Sequence, residues 1–401
     1  MSITEHASKI LFISTYPPLK CGIASFTNDL VKSISDDTGS NAEVVICALD
    51  KANIMQNYEY PVTMVMDAHS IDSCIETAKI INQDPTIWLV CIEHEFGLYG
   101  GDLGSHLVRF ISFLDKPFII RFHTVLPEPD TKRYQLVKTI ALLAEKVIVM
   151  TENSARLLKE DYNLGAEKII IIPHGTHAVS KVDPDELKMK YQLKDHLVLT
   201  TFGLLSPNKG VENGIIAMKK IRLKYPQAIY IVLGLTHPNL LLQEGERYRE
   251  SLQQLIDENE LQENVRLVND YVPTEMLMEY LALTDIYLFT SKDPHQAVSG
   301  TFLYAMSAGC AIISNPFVLA REMLDDRTGI IIEPAQENAL SQSAIFLLQN
   351  KDIRKEMGQQ AYLKTRNTPW NIVAEKHLEL FDQLFSKPAP QEITSSFYWM
   401  N

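Results

Sequence analysis

Short apolar, β-branched runs alternate with amphipathic segments along the whole chain. In the first half the runs are KILFIST, AEVVICAL, VTMVM, IWLVCIEH, PFIIRFH, KVIVMT and KIIIIP. Between them ASFTNDLVKSI, SHLVRFISFL, RYQLVKTIALLA and NSARLLKEDY carry the three- and four-residue spacing of a helix. Runs that are apolar at every position belong to strands buried on both faces, which predicts a parallel sheet covered by helices. The pattern then restarts: HLVLTTFGLL, AIYIVLG, VRLVND, IYLFTS, AIIS and GIIIEP read as strands, with helices such as VENGIIAMKKIRLKY and YRESLQQLIDEN among them. Two successive series of this kind predict two doubly wound, Rossmann-like α/β domains facing each other across a cleft. The join falls in HGTHAVSKVDPDELKMKYQLKDH, which is polar and contains Pro184, so the expected units are 1–177 and 178–370. NIVAEKHLELFDQLF predicts a last helix over 371–386 that packs back towards the first domain. The tail 387–401 lacks helical periodicity and is expected to be disordered unless its aromatic end, FYWM, docks.

Composition narrows the partners. The chain has 401 residues, 46% of them hydrophobic and 22% charged, which suits two sizeable cores. Its net charge is −13, and the excess is spread out: 15 basic against 22 acidic residues in 1–175, and 22 against 28 beyond. That argues against nucleic acid as a partner, and the charge gives no support to a peripheral membrane contact. The cysteines Cys21, Cys47, Cys74, Cys91 and Cys310 form no Cys-x-x-Cys pair and read as free thiols in a reducing compartment. The first apolar run is too short for a signal peptide, and none approaches the roughly 18 apolar residues of a membrane span. The expected location is cytoplasmic.

Ligands of open α/β sheets sit beyond the carboxyl ends of the strands, so the candidate chemistry is sought there. In STYPPLKCGIASF, Gly22 stands where a strand gives way to a helix starting near Ser25; it lets backbone amides approach a phosphate, although a routine turn reads the same. In RFHTVLP, His123 follows a strand and is placed either to orient a substrate or to serve the fold. CIEHEFGLYGG sets Glu93, His94 and Glu95 in a row, poor spacing for a metal because successive side chains on a strand diverge; Glu95 is left as a contact to a polar acceptor. In TFGLLSPNKGVENG, Lys209 precedes Gly210 on a strand-to-helix loop and is either a phosphate ligand or an exposed lysine. Ser299, Gly300 and Thr301, in QAVSGTFLYAMSAG, present amides at a helix start. Together these point to a nucleotide-activated substrate.

The order STYPP…CGIASF, FHTVLP, IIPHGTH, FGLLSPNKG, NDYVPTEMLMEYLALTDIYLFTS and SGTFLYAMSAGCAIIS resembles the retaining family-4 glycosyltransferases of the GT-B fold, over roughly residues 8 to 385. The resemblance implies that Gly22 supports the donor diphosphate, that His123 lies near the donor sugar, and that Lys209 neutralises the diphosphate. The arginine usually paired with that lysine is Leu204 here. It further implies that Tyr271 and Val272 meet the nucleobase and that Ser299, Gly300 and Thr301 form the phosphate turn. Two glutamates eight positions apart, one contacting the sugar and one the ribose, are replaced by Gln296 and Tyr304.

The resulting expectation is a retaining hexosyltransferase of polysaccharide biosynthesis. Its co-substrate is a nucleoside-diphosphate sugar, its acceptor a hydroxyl on a glycan or lipid-linked molecule, and it uses no metal and no cofactor. His123 and Gln296 are the expected catalytic residues, and the one Asp-x-Asp, at Asp183 and Asp185, falls in the join. The lost glutamates keep open a catalytically degenerate sugar-nucleotide-binding protein or partner subunit. An epimerase or phosphorylase of the same fold is a third option, and a dehydrogenase is disfavoured because no strand–GxGxxG–helix is present.

Overall fold

The computed structural model describes residues 9–36, 43–50, 56–179, 181–333 and 338–385; the tail 387–401 lies outside them. Among the described residues, one sheet contains β1 (Lys9–Ser14), β2 (Glu43–Asp50), β3 (Val62–Asp67), β4 (Ile87–His94), β5 (Phe118–Phe122), β6 (Lys146–Val149) and β7 (Ile169–Ile171). A second contains β8 (Leu197–Phe202), β9 (Ala228–Leu233), β10 (Val265–Val268), β11 (Ile286–Phe289), β12 (Ala311–Ser314) and β13 (Ile330–Ile331). The orders are β3-β2-β1-β4-β5-β6-β7 and β10-β9-β8-β11-β12-β13. All pairings between these strands are parallel. These are two doubly wound α/β halves, as the restarted pattern predicts.

The unbroken apolar runs have a direct physical cause. Leu11, Ile13, Val45 and Cys47 enter a core on one face of the first sheet, while Ile10, Phe12, Val44 and Ile46 enter another on the opposite face. The second sheet splits alike, with Val198 and Ile231 on one side and Leu199 and Tyr230 on the other. Successive residues of a strand point to opposite faces, so a strand covered twice has no polar position to spare.

The Trp370–Phe385 helix belongs to the first half in space. Trp370, Val373, Ala374, Leu380 and Phe381 are spaced as one helix face and lie in the same core as Phe12 and Phe26. The chain therefore crosses between the halves twice, and the two crossings are bonded to each other. Thr176 N donates to Thr368 O at 2.7 Å, Trp370 N to Thr176 O at 3.1 Å, and the hydroxyls of Thr176 and Thr368 lie 3.0 Å apart. The polar join holds a short helix, Pro184–Lys190, with Pro184 in its first turn and Asp183 accepting from Asp185 N as its cap. Helices over Ile71–Gln83, Val318–Met323, Ala339–Gln349 and Lys351–Thr365 complete the layers without having stood out in the pattern. Cys47, Cys74, Cys91 and Cys310 are buried free thiols, and Cys21 is partly exposed. Among the described residues no helix is long and apolar enough to cross a membrane.

Candidate active-site cleft

In each sheet the strand order reverses once, between β1 and β4 and between β8 and β11. A crevice opens at such a switch point, beyond the carboxyl ends of the strands. A cavity of about 690 Å³ lies there, between the two halves. Gly22, Glu95, His123, Lys209, Tyr271, Val272, Gln296, Ser299, Gly300, Thr301 and Tyr304 all line it. Loops as far apart in sequence as those of Gly22 and Tyr304 thus converge on one space.

After β1 the chain enters its helix at Gly22, slightly before the expected Ser25, and Cys21 caps it by accepting from Ala24 N at 3.3 Å. A Cβ on Gly22 would meet nothing within 4 Å, so this backbone is open to a bound group. After β8 a turn over Pro207–Lys209 ends at Gly210, which has φ +63° and whose Cβ would lie 2.3 Å from Thr290 O. Only glycine suits that place, and it fixes the lysine before it. Thr290 Oγ1 donates to Lys209 O at 2.9 Å as a further tether. The Lys209 ammonium itself has no hydrogen bond or ion pair among the described residues, and burial pushes its pKa below the ordinary value. Among the described residues that line the cavity it is the one lysine or arginine.

After β11 a loop leads to Ser299, whose hydroxyl accepts from Phe302 N at 3.4 Å and so starts the Gly300–Ser307 helix. The amides of the first turn have no intrahelical partner and carry the positive end of the helix dipole. Thr301 Oγ1 lies 3.0 Å from Ser299 Oγ, which keeps both hydroxyls at that end. Gln296 is held by its own loop: it accepts from Ser291 Oγ at 3.3 Å and donates to Val298 O at 3.0 Å.

Tyr304 and Tyr271 bridge the cleft. Tyr304 donates to Asp29 Oδ2 at 3.4 Å, and the same carboxylate oxygen lies 3.0 Å from His177 Nε2. Burial, then the Asp29 charge, pushes the Tyr304 hydroxyl pKa up. Tyr271 shares a 2.9 Å hydrogen bond with Ser25, and the Lys20 ammonium sits 5.4 Å from the centre of its ring. Glu95 accepts from Thr124 Oγ1 at 2.6 Å and from Phe96 N at 2.9 Å.

Behind His123 lies a network whose partners sequence reasoning missed. His123 Nε2 is 2.7 Å from Glu93 Oε2, and Arg121 Nη1 donates to Glu93 Oε1 at 2.7 Å. The other Arg121 terminus meets His377 on the last helix. Burial raises the Glu93 pKa, but Arg121 and His123 outweigh it and leave the carboxyl below its ordinary value. A signal for this was present: Glu93 and Arg121 each interrupt an apolar strand, and a charge buried there demands a partner. They pair directly in the β4–β5 register. Asp29, His174 and His177 line the cavity and were missed as well, although the two histidines lie in the quoted IIPHGTH. Among the described residues no group of three or more His, Cys, Asp or Glu is placed to hold a metal ion.

Residues 183–364 match the family model "Glycosyl transferases group 1". The chain is 25% identical over 255 residues to the uncharacterized glycosyltransferase MJ1069 of Methanocaldococcus jannaschii, covering 62% of this chain and 60% of that one. It is 24% identical over 247 residues to the GPI3 subunit of phosphatidylinositol N-acetylglucosaminyltransferase of Saccharomyces cerevisiae (60% and 49%). These matches therefore span less than two thirds of the relatives' length. Among solved structures, sucrose-phosphate synthase of Thermosynechococcus elongatus superposes with a TM-score of 0.75 at 17% identity, covering 94% of this chain and 99% of that one. Anabaena HepE in complex with UDP and glucose superposes with a TM-score of 0.71 at 16% identity, covering 94% and 100%. The chain thus has the GT-B fold, and within its second half residues 183–364 are similar to the glycosyl transferases group 1 family.

Proposed function

We propose that the protein is a retaining hexosyltransferase that moves a sugar from a nucleoside-diphosphate donor to a hydroxyl of a glycan or lipid-linked acceptor, in polysaccharide biosynthesis and in a reducing, cytoplasmic setting. The observation that carries this reading is the unpaired Lys209 ammonium in the same cavity as the free amides at Ser299–Thr301. An ammonium and a helix start directed into one space suit a diphosphate. The family match over the second half and the UDP and glucose held by HepE support the choice of donor.

In this reading the bond between the sugar C1 and the β-phosphate oxygen breaks as the acceptor oxygen bonds C1 on the same face. The acceptor proton passes to the departing phosphate oxygen. Negative charge grows on the diphosphate during the step, so fixed positive groups there stabilise the transition state more than the ground state. Lys209 and the helix amides supply them, which makes a metal unnecessary. His123 and Gln296 hold the sugar hydroxyls, Tyr271 and Val272 flank the base, Tyr304 lies by the ribose, and Gly22 leaves room for the phosphates. Glu95 faces the acceptor.

A thermal-shift screen with UDP-, GDP- and ADP-sugars, followed by assay of released nucleoside diphosphate, tests the proposal. A donor should raise the melting temperature by mass action and then turn over with an acceptor. Binding without turnover across glycan and lipid-linked acceptors replaces the transferase with the sugar-nucleotide-binding protein, and no binding at all removes both.

A further inference from the structure

With a neutral His123, the hydrogen-bonded contacts of the network behind it fit only one arrangement of its protons, although Arg121 Nε has no partner among the described residues. Arg121 has donors and no acceptor. Its contact with His377 Nε2 therefore requires that nitrogen to accept, so the His377 proton sits on Nδ1, where it donates to Val373 O at 2.6 Å. Burial, and then Arg121, hold the His377 pKa well below the ordinary value, consistent with a neutral ring. Arg121 also donates to Glu93 Oε1 at 2.7 Å, and its guanidinium carbon lies 4.8 Å from the centre of the Phe26 ring. Glu93 is 1% exposed and Arg121 3%, so neither exchanges its partner for water. The second Glu93 oxygen, a carboxylate acceptor, faces His123 Nε2 at 2.7 Å.

We propose that Glu93 is a positioning residue that keeps the His123 proton on Nε2, so that Nδ1 is presented to the cavity as a hydrogen-bond acceptor for a hydroxyl of the donor sugar. This rests on the hexosyltransferase reading for the identity of the hydroxyl, while the proton arrangement stands on the network alone. The hydroxyl donates to Nδ1, and its oxygen stays free to accept from other groups. The T-shaped contact between His123 and Phe26, 5.1 Å between ring centres, restricts rotation of the imidazole. The last helix thereby reaches the site through His377, Arg121 and Glu93.

Glu93→Gln separates this from mere packing. The glutamine has the same shape, but its oxygen is claimed by Arg121, which can only donate. Its amide is then left facing His123 Nε2 and donates to it. The His123 proton must move to Nδ1, and the cavity receives a donor where it had an acceptor. An isosteric change that removes the charge of one carboxylate thus reverses the hydrogen-bond polarity of the histidine facing the cavity.

The test is 15N NMR of protein labelled at histidine, with the His123 signals assigned by their loss in His123→Gln, alongside steady-state kinetics. The expected result is an Nε2–H ring in the native protein and an Nδ1–H ring in Glu93→Gln. With it, kcat should fall by about 100-fold or more, as for a misplaced orienting group, and the donor Kd should rise as the sugar hydroxyl loses its acceptor. Glu93→Asp, which keeps the carboxylate, should retain the Nε2–H ring and recover part of the rate. An Nδ1–H ring in the native protein overturns the proposal without need of any variant. A switched ring with unchanged kcat also overturns it. If native protein shows the Nε2–H ring but binds no sugar nucleotide, the hexosyltransferase reading fails and with it the sugar-facing role, whereas the Glu93–His123 arrangement stands.

Discussion

Replacing Lys209 by methionine isolates the charge that the proposed chemistry needs. Methionine keeps an unbranched apolar stem and removes the ammonium. Against one diphosphate charge at about 4 Å, with an effective dielectric of about 20, the ammonium contributes roughly 4 kcal/mol. Water entering the variant cleft recovers up to about half of this, leaving roughly 2–4 kcal/mol, or about 30- to 1,000-fold in kcat/KM. Stability should move the other way. Burial lowers the Lys209 pKa, which means that folding disfavours its charged form. The stability withheld by that charge returns only as pH rises through the folded pKa, so at pH 7 the native lysine is a cost. Lys209→Met should therefore melt at or above the native temperature in the absence of donor, and should lose much of the donor-induced shift. Release of nucleoside diphosphate over a range of donor concentrations, with calorimetry of the free protein, reads both quantities. A kcat/KM within about threefold of native, or a melting temperature several degrees lower, refutes the assignment of Lys209 as an anion ligand.

Buried histidines set a pH limit on the fold. His94 and His174 are held neutral by burial, with pKa values pushed down to about 3 and about 4 from 6.5, and His377 lies well below 6.5. Unfolded chains take up these protons near pH 6.5, so stability present above that pH is lost as it falls; at pH 5 each histidine costs about 2 kcal/mol. Calorimetry at pH 7.5 and 5.0 should show a marked drop in melting temperature, and equal values contradict the buried, neutral assignment. Gly234→Ala should destabilise by about 1–3 kcal/mol and abolish the donor-induced thermal shift, because Gly234 has φ +143° and its Cβ would lie 2.0 Å from Gly203 O; wild-type melting argues against that close approach. Tyr304→Glu brings in the carboxylate that Tyr304 is expected to replace, yet sets it against Asp29, so calorimetry should show weaker donor binding than in Tyr304→Phe. Tighter binding would mean that Asp29 and residue 304 do not share the cleft as described.

Much of the layout was legible because strands buried on both faces leave continuous apolar runs, and the restart of that pattern divides the chain. Gly22, Lys209 and Ser299 were legible as strand-to-helix junctions, which in this topology face the ligand crevice. The helix Lys351–Thr365 was not, since Arg354 and Thr365 share its buried face with Met357 and Ala361; Ile71–Gln83 carries a regular buried face, Cys74, Ala78 and Ile81, that was legible and missed. The orienting partners of His123 were hidden for a different reason. His377 reaches Arg121 over a separation of 256 residues, and Asp29 meets His177 over 148. Such pairings follow from where the last helix and the first crossing settle in the fold, and spacing along the chain carries no trace of them.

The bonded pair of crossings at Thr176 and Thr368 has a mechanical consequence. Two separate connections would act like a pair of door hinges, fixing an axis; two connections fastened to each other behave as a single short ribbon. Motion of one half against the other then pivots about one spot, and contacts across the cleft travel further the farther they lie from it. Opening the cleft then parts the Tyr271–Ser25 and Tyr304–Asp29 contacts and those of Glu322 with Glu152 N and Asn153 N, while the ribbon itself stays bonded.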